Sequence, residues 1–253
     1  MLWKNIGISD AAREVSKFVV LFLMALIPEA FASGKIPVRD EISPTMPPSI
    51  HQAIPSKLRF GLRNLITTPF HFQINISSTF FPASISAKGA VDPQNRETEA
   101  TAQTYFLGGI SASASTITIG NHTWYRTSPP GGGYQEGILP IHIPRSIPWH
   151  EILPYLTNIE EISGAGIDGK EASAYRFNIS QPGLNFIARE DSSLPIGTIQ
   201  SAHGTIYLQK SEPYLPIEAI LKESVTIDGL QYPLLEIVHY RDWGEPIFLN
   251  PPG

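Results

Sequence analysis

Apolar and polar residues alternate at period two along much of this chain, and prolines and glycines cut the alternation into short runs. Phe70, Phe72, Ile74 and Ile76 share one side, with His71, Gln73 and Asn75 on the other. Residues 83–91 repeat the pattern with Ala83, Ile85, Ala87, Gly89 and Val91. Side chains at i and i+2 lie on one strand face, so such runs demand antiparallel strands with one buried side. With Pro 23 and Gly 20 in 253 residues, long continuous helices are not expected. Asp92-Pro93-Gln94-Asn95, Gly120-Asn121, Asp168-Gly169 and Asp228-Gly229 have the composition of turns. Further strand runs fall at Tyr105-Phe106-Leu107, 111–119, 172–179, 199–209, 215–225, 232–241 and 247–249. In 172–179 the apolar side carries Tyr175 and Phe177, and 111–118 is built of small residues with Ser and Thr, leaving room against that strip. The expected total is nine to eleven strands and two or three helices.

Two segments have helical spacing instead. Ile54, Leu58, Leu62 and Leu65 recur at three- and four-residue intervals, with Lys57 and Arg63 turned to water. Pro55 is tolerated at the start of this helix, where its missing N–H has no partner to lose. The second helix is expected over 146–157, with Ser146 as its cap and Trp149, Ile152, Leu153 and Leu156 on one side.

The N-terminus reads as an export signal. Arg13 and Lys17 precede ten apolar residues, 18–27, followed by Pro28 and then Ala30-Phe31-Ala32. Ten residues are too few to cross a hydrocarbon core of about 30 Å. The expectation is cleavage after Ala32, a flexible segment over 33–49, one domain over 50–253, and a secreted or periplasmic location.

Composition narrows the chemistry. Lys+Arg 18 against Asp+Glu 23 leaves no cationic excess for a broad nucleic-acid surface. With Cys 0 there is no disulfide, thiolate metal site, cysteine nucleophile or lipid-bearing cysteine. The seven histidines form no His-Glu-x-x-His pattern, and no metal or other cofactor is expected. No serine sits in Gly-x-Ser-x-Gly, and 128–134 lacks the Lys-Ser/Thr of a phosphate loop. Glu160-Glu161, Glu190-Asp191 and Asp242 with Glu245 are carboxylate pairs of a kind glycoside hydrolases use, but charged turns and surface rims are the default account of them. The expectation is a protein that is not an enzyme.

Two stretches carry a family resemblance. Gly166-Ile167-Asp168-Gly169-Lys170-Glu171-Ala172-Ser173-Ala174-Tyr175-Arg176-Phe177, and the ending Tyr240-Arg241-Asp242-Trp243-Gly244-Glu245-Pro246-Ile247, resemble segments of the LolA-like and LppX/LprG-like periplasmic lipid or lipoprotein carriers. The resemblance in organisation covers roughly residues 50–250. It implies an α+β fold: a strongly curved antiparallel half-barrel covered on its concave side by short helices. It also implies an acyl lipid or lipid-linked molecule held between sheet and helices, transient membrane-surface contact and a delivery partner. Lining residues would be Phe70, Phe72, Ile74, Ile85, Leu107, Tyr175, Phe177, Ile206, Leu208 and Ile237, with Leu58, Leu62, Trp149 and Leu153 as a lid. The alternative is a secreted structural or interaction module whose core is fully packed.

Overall fold

A computed structural model describes residues 53–78, 83–106, 109–127, 133–137, 149–190, 199–227 and 229–252. The export signal, the 33–49 segment and Leu107 lie outside the described residues.

After helix α1 (Ser56–Asn64) the chain forms an antiparallel meander: β1 (Phe70–Ser78), β2 (Ala83–Asp92), β3 (Glu97–Phe106), β4 (Gly109–Ile119), β5 (His122–Thr127) and β6 (Gln135–Glu136). A short helix α2 (Trp149–Ile152) and a 3-10 turn (Leu153–Tyr155) lead into β7 (Leu156–Ile162), β8 (Gly166–Ile167) and β9 (Lys170–Ile179). Helix α3 (Gln181–Glu190) follows, then β10 (Ile199–Gln209), β11 (Pro216–Ile227) and β12 (Leu230–Arg241). All strands belong to one 12-stranded arrangement, ordered β6-β5-β4-β3-β2-β1-β12-β11-β10-β9-β7 with β8 on β9. The first and last long strands are therefore neighbours, and β1–β12 welds an N-terminal meander to a C-terminal one.

Three of the expected turns are in place, and Asp228 of the fourth lies outside the described residues. Asp92 is buried, and its Oδ1 accepts the backbone N–H groups of Gln94 (3.0 Å) and Asn95 (3.1 Å). Asp168 and Gly169 both have positive φ, 51° and 75°, as a tight two-residue hairpin requires. Gly120-Asn121 joins the paired Ile119 and His122.

The helix-covered α+β half-barrel is corrected. Strands dominate the described residues, the sheet is open, and among these residues only α1 and α3 exceed one helical turn. Eleven strands in sequence span about 48 Å at the usual spacing. Helices of 9 and 10 residues are about 15 Å long and cannot cover that width. They pack instead against one part of it, chiefly β10 and β11. Part of the helix expected over 146–157 is strand: Trp149, Ile152, Leu153 and Leu156 do have helical spacing, but the chain extends at Leu156 and bulges between Thr157 and Glu160, where Asn158 has φ 52°. Residues 247–249 form no strand, and Phe248 is exposed. Helix α3 escapes prediction because Pro182 and Gly183 look like breakers. Proline is harmless in a first turn, and Gly183 is needed there, since a Cβ would stand 2.6 Å from that of Tyr155.

Candidate functional site

Register defines the face on which the helices lie. Across β2, β1, β12, β11, β10 and β9, one row of partners reads Ile85, Ile76, Glu236, Leu221, Gly204 and Phe177. The row below it toward one sheet end reads Ser78, Leu234, Glu223 and Ala202. Two rows the other way lie Phe72 and Tyr240. Leu58 and Leu62 of α1, Trp149 and Ile152 of α2, and Leu184 of α3 join these strands in a continuous apolar core.

Most of the anticipated lining residues are brought together here. Phe70, Phe72, Ile74, Ile85, Tyr175, Phe177, Ile206, Leu208, Leu58, Leu62 and Trp149 are all buried in that core, and Leu153 packs against it. Trp149 meets Phe177 edge to face, with centroids 5.8 Å apart. Ile237 is placed elsewhere. It pairs with Asn75 and Ile220, so it points to the opposite side of the sheet from Ile74 and Ile76.

Two glutamates interrupt this apolar face. Glu236 of β12 lies between Ile76 and Leu221, and Glu223 of β11 lies between Leu234 and Ala202. They are diagonal neighbours on adjacent strands, a relation that places Cβ atoms about 7 Å apart. Both are half-buried, as are Leu234 and Tyr232 beside them, whereas Leu221, Ala202 and Ile76 are fully buried. Desolvation lifts Glu223 from the ordinary carboxyl range to about 7; for Glu236, desolvation and then the charge of Glu223 lift it to about 8. Each carboxyl is thus partly reached by solvent and desolvated by the apolar side chains around it. Among the described residues neither carboxyl has an ion-pair partner.

The surrounding polar groups are fixed by their neighbours. Burial raises the Tyr240 phenol far above its usual range, although the Trp149 indole N–H donates to its oxygen. Tyr240 also meets Phe70 edge to face at 5.8 Å. Across the sheet, Tyr175 is raised by burial and donates its hydroxyl to Glu161. With both carboxyls raised toward neutrality, the pair offers O–H donor capacity as well as acceptor lone pairs. An uncharged hydroxyl or amide, or a single cationic group, satisfies that set.

The glutamate pair was not anticipated, although parity carries the signal. Glu223 alternates with Leu221 and Val225, and Glu236 with Leu234 and Val238. A lone carboxylate flanked at i±2 by apolar residues points into the apolar side of its strand. Among the described residues no helix is long and apolar enough to cross a membrane. No protein-family model and no curated protein matches the chain.

Proposed function

We propose that this protein is a non-enzymatic, extracytoplasmic binding protein for an acylated amphiphile. The apolar side chains around the two carboxyls take the acyl chain, and Glu223 and Glu236 receive the polar group. The observation that carries the reading is a pair of desolvated carboxyls, without an ion-pair partner among the described residues, flanked by Ile76, Leu221, Leu234 and Ala202. A fold gains nothing by burying two carboxyls without a counter-charge. A ligand that hydrogen-bonds them repays that cost, and each methylene it buries adds about 0.8 kcal/mol. The resemblance of 166–177 and 240–247 to lipid carriers points the same way. Loading would follow transient contact with a membrane surface, and release would need a delivery partner; neither calls for a cofactor or nucleic acid.

A second reading has its own support. So many of the anticipated lining side chains are already packed in the core that a structural or protein-interaction module is the natural alternative. Native mass spectrometry after incubation with phospholipid vesicles separates the two. The proposed function gives a reproducible acyl-lipid adduct on the wild type that is lost from a Glu223→Gln/Glu236→Gln variant of unchanged fold. A clean apo mass in both proteins would favour the interaction module.

A further inference from the structure

On the other face of the sheet, His71 of β1, Asp242 and Glu245 bring one ligand atom each within 4.8 Å of one another. We propose that these three side chains bind a divalent first-row transition ion of the Zn2+ class, with solvent completing its coordination. The backbone builds the arrangement. His71 pairs with Arg241, so Asp242 leaves the end of β12 directly beside the imidazole. Asp242 has φ 53°, Gly244 has φ 78°, and the Gly244 N–H donates to the Pro69 carbonyl at 2.8 Å. That bond ties the 242–245 turn back to the residue before β1, while the Trp243 indole N–H donates to the Pro216 carbonyl at 2.9 Å. Trp243 is thereby held away from the cluster, and the carboxylates at i and i+3 of the turn converge on His71.

The second observation is the imidazole itself. His71 Nδ1 is shielded from solvent and has no hydrogen-bond partner. It stands 3.7 Å from Asp242 Oδ2, too far for a hydrogen bond. A shielded ring nitrogen without a partner is costly, and a cation between the three groups removes the cost. Tetrahedral bonds near 2.1 Å place ligand atoms about 3.4 Å apart. The imidazole–Asp242 edge needs only a few tenths of an ångström of closure, and exposed Glu245 is free to swing. One imidazole and two carboxylates suit Zn2+, Co2+ or Ni2+ better than Ca2+, which asks for six to eight oxygens. Arg241 Nε, 3.5 Å from the same Asp242 oxygen, opposes the ion and tunes the affinity downward. The cluster lies about 17 Å along the strands from Glu236 and on the opposite face, so it stands apart from the proposed ligand site.

The test is isothermal titration of the purified, chelator-treated protein with ZnCl2, with the visible absorption of added Co2+ as a second readout. One equivalent of Zn2+ is expected, with an inner-sphere Co2+ spectrum. His71→Gln and the exposed-turn variant Glu245→Gln should each weaken binding at least tenfold, and Arg241→Gln should tighten it about threefold. Unchanged Zn2+ affinity in Glu245→Gln and His71→Gln, or no saturable binding by the wild type, would overturn the site. Because Glu245 lies in an exposed turn, its variant remains informative even if His71→Gln folds poorly.

Discussion

The two meanders that meet at β1–β12 use one backbone pattern with different side chains. On the helix-facing side, the strands from β9 to β12 carry Phe177, Tyr175, Ile206, Leu208, Leu221 and Tyr240, and the helices pack against them. The same side of β2 to β4 carries Ala87, Gly89, Ala100, Ala102, Ala114, Thr104 and Thr116. The first half is filled by its own large side chains. In the second, Phe72 lies over Gly89, whose added Cβ would meet the Glu99 carbonyl oxygen at 2.1 Å and Phe72 Cζ at 2.7 Å. Volume, not strand count, decides where a sheet supports its own core, and the glutamate pair lies next to the seam between the halves.

The largest test of that difference removes volume from the full half. Phe177→Ala should lose about 3–5 kcal/mol, read from urea unfolding, because α2 and β10 cannot collapse onto the space. Adding volume to the lean half is next. Gly89→Ala should cost about 1–3 kcal/mol, as both the β3 backbone at the Glu99 carbonyl and the Phe72 ring have to move. Equal losses for the small-side-chain substitution and the ring deletion would erase the distinction between the meanders.

A third prediction concerns the seam. Glu223 and Glu236 bind protons more tightly in the folded than in the unfolded state, their carboxyls being raised from 4.5 to about 7 and about 8. The folded state therefore binds more protons between pH 4.5 and 8, and stability falls as pH rises through that window. Glu236→Gln removes part of this loss. Its melting temperature should exceed that of the wild type by about 3 °C or more at pH 9, with the gap closing at pH 4.5. The smallest effect is expected at Phe248, which is 85% exposed. Phe248→Ser should change stability by under about 0.5 kcal/mol in the same urea experiment.

Particular residues explain how much of this was legible in the chain. Strand β1 was plain because its apolar and polar residues do not mix parity. Helix α1 was plain because Leu58 and Leu62 are one turn apart and Pro55 stands at its start, as expected. Strand β12 was harder. Leu234, Leu235, Ile237 and Val238 put apolar groups on both parities, so only its register with β1 and β11 reveals that Ile237 faces away and Glu236 faces in. The extent of helical cover was read from the family resemblance and not from the lengths of the helical runs, which were too short for it. His71 and the Asp242/Glu245 pair were each visible, but 171 positions separate His71 from Asp242, and only the β1–β12 pairing joins them.

The raised carboxyls of Glu223 and Glu236 are the feature on which the proposed ligand binding depends. A carbon-13 titration of the glutamate side-chain carboxyls, assigned with Glu223→Gln and Glu236→Gln, measures it directly, with and without a long-chain monoacylglycerol below its micellar concentration. Two carboxyls are expected to titrate well above all the others, and both signals to shift when the acyl compound is added. Two ordinary glutamates, titrating with the rest and indifferent to the amphiphile, would contradict the proposed ligand binding.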